Sequence, residues 1–292
     1  QDQLLRLTEL GRIIGAFVRC GVGKLRVTGG EPLLRRGVEK FLHGLRRFPA
    51  LQDIAMTTNG LLLPELAAGL AEAGLHRVTV SLDALDPGIF GAMNGRGHHP
   101  ARVLEGIAAA RAAGLGVKIN MVVQRGVNDG EILSIARHCK REGIVLRFIE
   151  FMDVGNSNHW DPAMVVSGRE ILDRLAREFA FEPVRPGAYG EVAARYRYRD
   201  DGCEFGLITS ISSPFCRDCT RARLSADGRL FTCLFASEGF DLVGAMRADN
   251  LDDEALYRLV AGLWSRRADR YSEIRAESAG GAPKVEMSFI GG

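Results

Sequence analysis

Alternation of short apolar strands with amphipathic helices is the feature that most constrains the fold of this chain. The sequence predicts strands at residues 24–30, 53–60, 77–84, 116–123 and 145–152. The segments LPELAAGLAEAG and ARVLEGIAAARAAG lie between strands and end at glycine, as helices often do. This alternation is typical of βα units around a parallel sheet. We therefore predict an α/β fold with a complete or partial (β/α) barrel.

Polar or glycine residues stand at or near the carboxyl end of each predicted strand, in the runs TGGE, TTNG, SLD, KIN and EFM. In a βα barrel the active site assembles at that end. Beyond residue 152 the pattern becomes irregular: we expect a helix over 166–179 with Ser167 as N-cap, mixed β structure and loops over 183–215, and a late helix over 251–270. We place a domain boundary near residue 182, which divides 1–182 from 183–292.

Composition narrows the possible functions. The 292 residues are 46% hydrophobic and 25% charged, with no apolar run near the roughly 18 residues that span a bilayer and no signal-peptide pattern. A formal net charge of +2 gives no general attraction to nucleic acid or to acidic membranes, so we expect neither as a partner. Six cysteines in a chain of this length do not form a disulfide scaffold, and we expect a cytoplasmic protein.

Three cysteines near the carboxyl end, Cys216, Cys219 and Cys233, have the spacing C-x2-C-x13-C, and Arg221 and Arg223 lie between them. A structural zinc usually takes four protein ligands, and Cys203 would be the nearby candidate for the fourth. A [4Fe–4S] cluster on three cysteines instead leaves one iron open to a small molecule. The residues leave both metals open, although two guanidinium groups beside an open site favour an anionic ligand such as phosphate.

Two cations interrupt predicted apolar strands. Arg26 lies in KLRVTGG and Lys118 in GVKINMVV, and inward cations on two strands are costly unless an anion lies between them. Lys118 could also extend to the barrel rim, or act as a Schiff-base amine with a lowered pKa. The TGGEP run at 28–32 is either a turn or a place where the backbone approaches a ligand closely. We expect the isolated Cys20 to be a packed core thiol.

Together these motifs resemble the GTP 3′,8-cyclase family of radical S-adenosylmethionine (SAM) enzymes. The resemblance covers nearly the whole chain in order, and the stretches that carry it are KLRVTGGEPLLR, MTTNG, VSLDA, VKINMVVQRGVND, LRFIEFMDVGNSNHWD, the cysteine segment and the terminal Gly-Gly. It implies a partial (β/α) barrel of radical SAM type, with a C-terminal cluster-binding α+β region that closes the barrel mouth. It also implies cyclisation of GTP to 3′,8-cyclo-7,8-dihydro-GTP, the first step of molybdenum cofactor biosynthesis.

The resemblance implies two [4Fe–4S] clusters. One, on an N-terminal C-x3-C-x2-C loop, reduces SAM; the other, on Cys216, Cys219 and Cys233, leaves an iron open to the guanine of GTP. The C-x3-C-x2-C motif is absent from the 292 residues, so we expect the first barrel strand and its cluster loop to lie upstream of Gln1. We expect these residues alone not to cleave SAM. The implied partners include an electron donor and a downstream pterin-forming enzyme, with a homodimer left open.

The resemblance also implies roles for individual residues. Three would contact SAM: Gly30, Ser81 and Met152. Six would contact GTP: Arg26, Thr57, Lys118, Arg221, Ala222 and Arg223. Four would form the catalytic group: Arg221, Arg223, Gly291 and Gly292. Thr57 is preferred to Thr58 because alternation along a strand turns Thr58 to the other face.

Three other functions are compatible with the residues. The chain could be another radical SAM enzyme with an auxiliary cluster, such as a peptide-modifying one, and GTP binding would distinguish it. It could be a barrel lyase that uses Lys118 as a Schiff-base amine, which borohydride would trap. It could also be a truncated metal-binding or partner-docking protein without chemistry.

Overall fold

A sheet of eight strands organises the computed structural model, which describes residues 4–155, 157–214, 219–267 and 285–290. Strands β1 to β8 are Lys24–Val27, Asp53–Thr58, Arg77–Ser81, Gly116–Val123, Val145–Glu150, Phe181–Val184, Ala194–Tyr198 and Glu204–Ile208. Their order is β1-β2-β3-β4-β5-β8-β7-β6. Strands β1 to β5 and β8 are parallel, whereas β7 and β6 are antiparallel. The predicted α/β fold and its five strands are confirmed.

Helices cover one face of this sheet. Helices α1 to α7 are Leu7–Arg19, Val38–Gly44, Leu63–Glu72, Pro87–Asn94, Pro100–Ala112, Ile132–Glu142 and Gly168–Leu175. Side chains at alternate strand positions, such as Met56, Val78, Ile119 and Phe148, pack with the helices in one continuous buried core. Because side chains alternate along a strand, the intervening positions lie on the opposite face, which we call the inner face.

Local sequence signals fix helix ends and helix contacts. Ser167 caps α7 as predicted: its hydroxyl accepts from the Glu170 N–H, and the Glu170 carboxylate accepts from the Ser167 N–H at 2.9 Å. Gly106 in α5 lies against the turn that leads into α3, where a Cβ atom would be 2.2 Å from the Gly60 carbonyl oxygen. A glycine at that position therefore permits the close packing of α3 and α5.

The C-terminal part of the described chain packs against the N-terminal helix. Strands β9 (Arg223–Leu224), β10 (Arg229–Phe231) and β11 (Phe240–Asp241) form an antiparallel sheet, and α8 (Leu242–Ala248), α9 (Asp253–Ser265) and α10 (Met287–Ile290) follow. A second apolar core joins α1, α8 and α9 through Ile13, Met246 and Leu256. Ion pairs border it, including Arg12–Asp253 at 2.7 Å and Arg247–Glu9 at 2.9 Å.

Two sequence-based expectations can be compared with the structure. The stretch predicted as mixed β structure and loops contains β8, which pairs with β5 and extends the parallel sheet past residue 182. The domain boundary near that residue stays a prediction. The expectation for Cys20 is wrong, because this thiol is exposed just after α1 rather than packed in the core. No helix among the described residues has the length and apolarity that a membrane crossing requires.

Candidate functional site

Four cations lie on the inner face of the parallel strands: Arg26, Arg77, Lys118 and Arg147. They affect one another across the sheet. Burial, followed by the charges of Arg147, Arg77 and Arg26, lowers the pKa of Lys118 to about 8. Burial and the Arg77 charge also lower the pKa of Arg147. Like charges held together in this way favour an anion at the inner face.

The predicted GTP contacts Arg26, Thr57 and Lys118 are brought to this same face. Arg26 Nη1 donates to Thr57 Oγ1 at 3.3 Å, and Thr57 and Lys118 each lie beside Thr79 in the strand register. Solvent reaches Arg26, yet protein atoms surround its guanidinium, and this burial together with Arg147 and Arg77 lowers its pKa to about 10. Thr58 is on the other face, as alternation predicts, where its hydroxyl donates to Glu31 Oε1 at 2.8 Å.

Sequence reasoning missed two members of the cation group. Arg147 lies in the predicted strand VLRFIEFM, so the signal that identified Arg26 and Lys118, a charge inside an apolar strand, was present there too. Gly206 lies beside Arg147, and a Cβ at that glycine would be 3.6 Å from Arg147 Cγ and 3.2 Å from Ala193 Cβ. Arg77 donates through Nε and Nη2 to the two carboxylate oxygens of Asp53, at 2.8 and 2.6 Å.

The TGGEP turn is fixed to the carboxyl end of β2. The Glu31 carboxylate accepts hydrogen bonds from the Leu33 N–H at 3.1 Å, the Thr58 hydroxyl at 2.8 Å and the Asn59 N–H at 2.8 Å. Gly29 has φ +139°, a conformation that side chains rarely allow, and Gly30 is exposed with nothing within 4 Å of where its Cβ would be. The predicted SAM contact Gly30 thus presents open backbone beside the strand ends.

Polar groups at the ends of β3 and β4 are buried near the predicted SAM contact Ser81. Ser81 lies beside Asn120 in the register. Asn120 Oδ1 and Thr79 Oγ1 are buried and make no hydrogen bond within the described part of the chain. Burial raises the pKa of Asp83 to about 6, although its carboxylate accepts from the Val122 N–H at 2.8 Å. Since buried polar atoms are almost always hydrogen-bonded, this region suits a polar ligand or ordered water.

The loop after β5 carries the third predicted SAM contact, Met152. Asn158 Nδ2 donates to the Met152 carbonyl oxygen at 2.9 Å, and Trp160 Nε1 donates to the Phe151 carbonyl oxygen at 2.8 Å. The last residue of β5, Glu150, is 1% exposed. It accepts from the Gly168 N–H at 2.8 Å and from the Ile211 and Ser212 N–H groups at 2.9 Å each. Glu150 therefore ties the strand to α7 and to the loop that precedes the cysteine segment.

Of the predicted cluster ligands, Cys219 and Cys233 are described. Arg221 Nη2 donates to Cys219 Sγ at 3.3 Å, and the Phe235 N–H donates to Cys233 Sγ at 3.4 Å. Burial alone raises the pKa of the Cys219 thiol, but the charge and hydrogen bonds of Arg221, with Arg267, lower it to about 7. Thiolates are the form that binds iron or zinc. Cys216, Gly291 and Gly292 lie outside the described residues.

The two arginines of the cysteine segment lie close to both thiols. Arg223 in β9 pairs with Phe231 in β10, so the antiparallel hairpin carries Arg221 and Cys233 toward the same end. Burial and Arg221 lower the pKa of Arg223 to about 10, while the charges of Cys219 and Cys233 oppose this change. The charge of Arg221 also contributes to the lowered pKa of Arg26. The cysteine segment is therefore near enough to the inner face for the charge of Arg221 to act on Arg26.

The residues present fit a thiolate-bound metal. The two cysteine thiols are soft ligands, and the adjacent guanidinium groups favour their thiolate form, which suits iron–sulfur clusters or zinc. Within the described ranges no three His, Cys, Asp or Glu side chains are grouped as a metal site, and the third cysteine lies outside those ranges. The described residues are therefore compatible with either zinc or an iron–sulfur cluster that has one open iron.

Comparison with known proteins relates most of the chain to two family models. Residues 1–139 match the Radical SAM superfamily, and residues 144–273 match Molybdenum Cofactor Synthesis C. A solved structure of Streptococcus suis SuiB bound to precursor peptide SuiA shares the fold, with a TM-score of 0.50 and 18% identity over 59% of this chain and 39% of that chain.

Curated relatives match along the full chain. A GTP 3′,8-cyclase of Acidothermus cellulolyticus is 46% identical over 100% of this chain and 88% of its own length. A protein of the same name from Xanthomonas campestris is 47% identical over 100% of this chain and 85% of its own length. The similarity therefore includes both the sheet and the C-terminal region.

Proposed function

Because the chain belongs to the GTP 3′,8-cyclase family of the radical SAM superfamily, we propose that it is a radical SAM lyase that converts GTP to 3′,8-cyclo-7,8-dihydro-GTP. This is the first step of molybdenum cofactor biosynthesis. The family resemblance read from the sequence motifs is confirmed, which sets aside the Schiff-base lyase and the protein without chemistry. The enzyme uses SAM and a [4Fe–4S] cluster, as the superfamily implies.

The observation that carries this proposal is the single positive region formed by the inner face and the cysteine segment. Arg26, Lys118 and Arg147 lie on the sheet, and the charge of Arg221, which is beside Cys219, acts on Arg26. A nucleoside triphosphate supplies several negative charges, which stabilise a group of buried like charges. The base at the other end of the nucleotide would then lie toward the thiols.

We assign the remaining roles on the same basis. Gly30, Ser81 and Met152 lie at or just after the carboxyl ends of strands, and they would hold SAM. The buried carboxylate of Asp83 follows Ser81 by two residues. Arg26, Thr57 and Lys118, with Arg147 added, would contact the triphosphate, together with Arg221, Ala222 and Arg223. Cys216, Cys219 and Cys233 would hold a second [4Fe–4S] cluster. Arg221, Arg223, Gly291 and Gly292 would lie at the reacting ribose.

The [4Fe–4S] cluster that binds SAM would, when bound, supply the electron that cleaves SAM, and this chain's residues would position the two substrates. The inner-face cations would hold the triphosphate, so that the ribose lies between the SAM contacts and the cysteine segment. The other proposed partners are an electron donor and the enzyme that converts the cyclised nucleotide to a pterin, in the cytoplasm, with a homodimer still open.

Calorimetric titration of full-length protein with GTP tests the cation group. We expect Lys118→Met and Arg147→Met each to weaken GTP binding about tenfold or more, because a hydrogen bond to a charged group contributes ~1.5–3 kcal/mol. Arg177→Met is the matched control, since Arg177 is exposed after α7. Equal GTP affinity in all three variants would contradict the assignment of the triphosphate to the inner face.

Spectroscopy of anaerobically reconstituted protein tests the second cluster. In the reduced protein we expect iron bound through the three cysteines, an electron paramagnetic resonance signal that changes when GTP is added, and loss of the GTP-dependent change in Cys233→Ser. Cys139→Ser is the control, because Cys139 is a buried core thiol with a pKa raised to about 12 by burial. Tetrahedral zinc with no response to GTP would refute the open cluster.

A further inference from the structure

The C-terminal segment 285–290 lies on the loop that follows β5. The Glu286 carboxylate accepts two hydrogen bonds from one residue of that loop: the Ser157 N–H donates to Oε1 at 3.1 Å and the Ser157 hydroxyl donates to Oε2 at 2.9 Å. Two bonds from one residue to both carboxylate oxygens fix the direction as well as the place of contact. The segment is therefore held at a defined position.

Gly155 provides the space for this contact. Its φ is +71°, and a Cβ there would be 2.3 Å from Glu286 Oε2 and 3.3 Å from Glu286 Cα. The second distance involves backbone, which cannot move aside as a side-chain tip can. A residue larger than glycine at 155 would therefore push the segment away from the loop.

Beyond Glu286 the chain is anchored as far as Ile290. The Glu286 carbonyl oxygen accepts from the Phe289 N–H at 2.9 Å and begins the single turn of α10. Ile290 is 3% exposed, so the end of this turn is buried. Gly291 and Gly292 follow directly in the sequence.

The same loop presents Met152, the proposed SAM contact. Asn158, next to Ser157, donates to the Met152 carbonyl oxygen at 2.9 Å. Ser157 and Asn158 are consecutive, so one short stretch of backbone holds the C-terminal segment and the Met152 loop together. A shift of the segment at Ser157 would therefore reach Asn158, and through it the Met152 loop, across a single peptide bond.

We propose that Glu286, Ser157 and Gly155 form a latch that positions the C-terminal segment relative to the SAM side of the barrel mouth. These three are positioning residues, which act on the reaction through Met152 and through the Gly291 and Gly292 that follow the segment. The proposal rests on the proposed function. It adds a requirement that the cyclase chemistry does not itself demand: the segment and the loop must be in contact during turnover.

The latch is tested with full-length protein by three substitutions. Glu286→Ala removes both hydrogen bonds, and Gly155→Ala places a Cβ against Glu286. Glu286→Gln keeps both contacts, because its amide oxygen can accept from the Ser157 N–H and its amide nitrogen can donate to the Ser157 hydroxyl. We expect kcat to fall about tenfold or more in the first two with little change in KM for GTP, and the glutamine variant to retain activity. Glu72→Gln, an exposed carboxylate in α3, is the control.

A second background separates positioning from general stability. In protein without residues 291 and 292, Glu286→Ala should cause a clearly smaller further loss of kcat, because only the effect through Met152 remains. An equal loss in both backgrounds, or full activity of Glu286→Ala, would overturn the proposal.

Hydrogen exchange keeps this test separate from that of the proposed function. We expect faster exchange in peptides of 285–292 for Glu286→Ala and Gly155→Ala, with Glu286→Gln unchanged, measured without substrate. Unchanged exchange in Glu286→Ala would contradict the latch even if the protein cyclises GTP. Failure of the unsubstituted protein to cyclise GTP would contradict the proposed function but would not change the exchange measurement.

Discussion

Small neighbours allow the arginines of the inner face to lie side by side. Ala55 lies next to Arg26 and Arg77, Gly116 lies next to Arg77, and Gly206 lies next to Arg147. Larger residues at these positions would occupy the space of the guanidinium groups. Of the four cations, Arg77 is neutralised by Asp53, so an anion would interact mainly with the others. The inner face therefore combines a polar lining with an excess of positive charge.

Lys118 gives this charge excess a measurable consequence. Burial and three neighbouring arginines lower the pKa of Lys118 to about 8 from an ordinary value of 10.5. Folding therefore disfavours the charged amine: this cost is fully present below about 8 and disappears as the pH rises toward 10.5. A bound triphosphate favours the charged form, so GTP binding at pH 8 should take up about half a proton.

Calorimetry in buffers of different ionisation enthalpy measures this proton uptake. We expect uptake near pH 8 and GTP affinity that decreases as the pH rises above that value. Lys118→Arg stays charged at every pH used, so uptake should vanish while binding persists. Uptake of the same size in Lys118→Arg would show that another group takes the proton.

Secondary-structure elements differ in how far the sequence determines them. Strands β1 to β5 were predictable because short, mainly apolar and β-branched runs bounded by turns alternate with helical segments. Strand β8 has the short sequence EFGLI and no helix directly after it, and its place in the sheet depends on pairing with the distant β5. Such pairing is a property of the assembled fold. Periodicity alone therefore predicted β structure in this stretch but not which strand it pairs with.

The residues of the candidate site also differ in how far the sequence determines them. Arg26 and Lys118 were predictable because a charged side chain inside an apolar strand is costly unless an opposite charge or a polar ligand compensates it. Arg147 met that criterion equally well. The bidentate contact between Asp53 and Arg77 joins neighbouring strands in the register and has no local signal in either strand. Cys20 was misplaced for a related reason, because a position near an apolar helix does not by itself determine which face the thiol takes.

Glu150 connects three elements, and its substitution should affect the cysteine segment. In Glu150→Gln the amide NH₂ must face either two backbone N–H groups or the Gly168 N–H with the Ser212 hydroxyl, so at least one donor loses its acceptor. We expect unfolding free energy to fall by about 1–3 kcal/mol, the cost of an unsatisfied buried group. We also expect less iron at the proposed second cluster after reconstitution.

Denaturant unfolding and iron analysis together check this expectation. Glu178→Gln is the matched control, because Glu178 is an exposed carboxylate that follows α7 and pairs with Arg137 of α6. Normal iron content in Glu150→Gln, with stability lowered, would show that the contact holds the fold but does not position the cysteine segment.

At the scale of the whole molecule, two cores share α1. Ile14 of this helix belongs to the core between the sheet and its helices, whereas Ile13 belongs to the core with α8 and α9. The cysteine segment lies in sequence between β8 of the first core and α8 of the second. A helix buried on two sides couples the cores, since loosening either one exposes apolar surface of α1.

Cutting the chain tests how far the proposed boundary near residue 182 separates independent units. Residues 1–182 lack β7 and β8, so Leu146–Ile149 of β5 would lose their hydrogen-bonded partner strand, and Ile13 and Ala16 of α1 would lose their cover. An unpaired apolar strand edge favours association between chains. We therefore expect 1–182 to associate on size-exclusion chromatography and to show no cooperative urea transition, whereas 1–292 shows a single one. Residues 1–213 retain β8, so this fragment should be more compact than 1–182 but less stable than the whole chain. If 1–182 instead unfolds cooperatively with the urea midpoint of the whole chain, then neither β8 nor the second core stabilises the sheet.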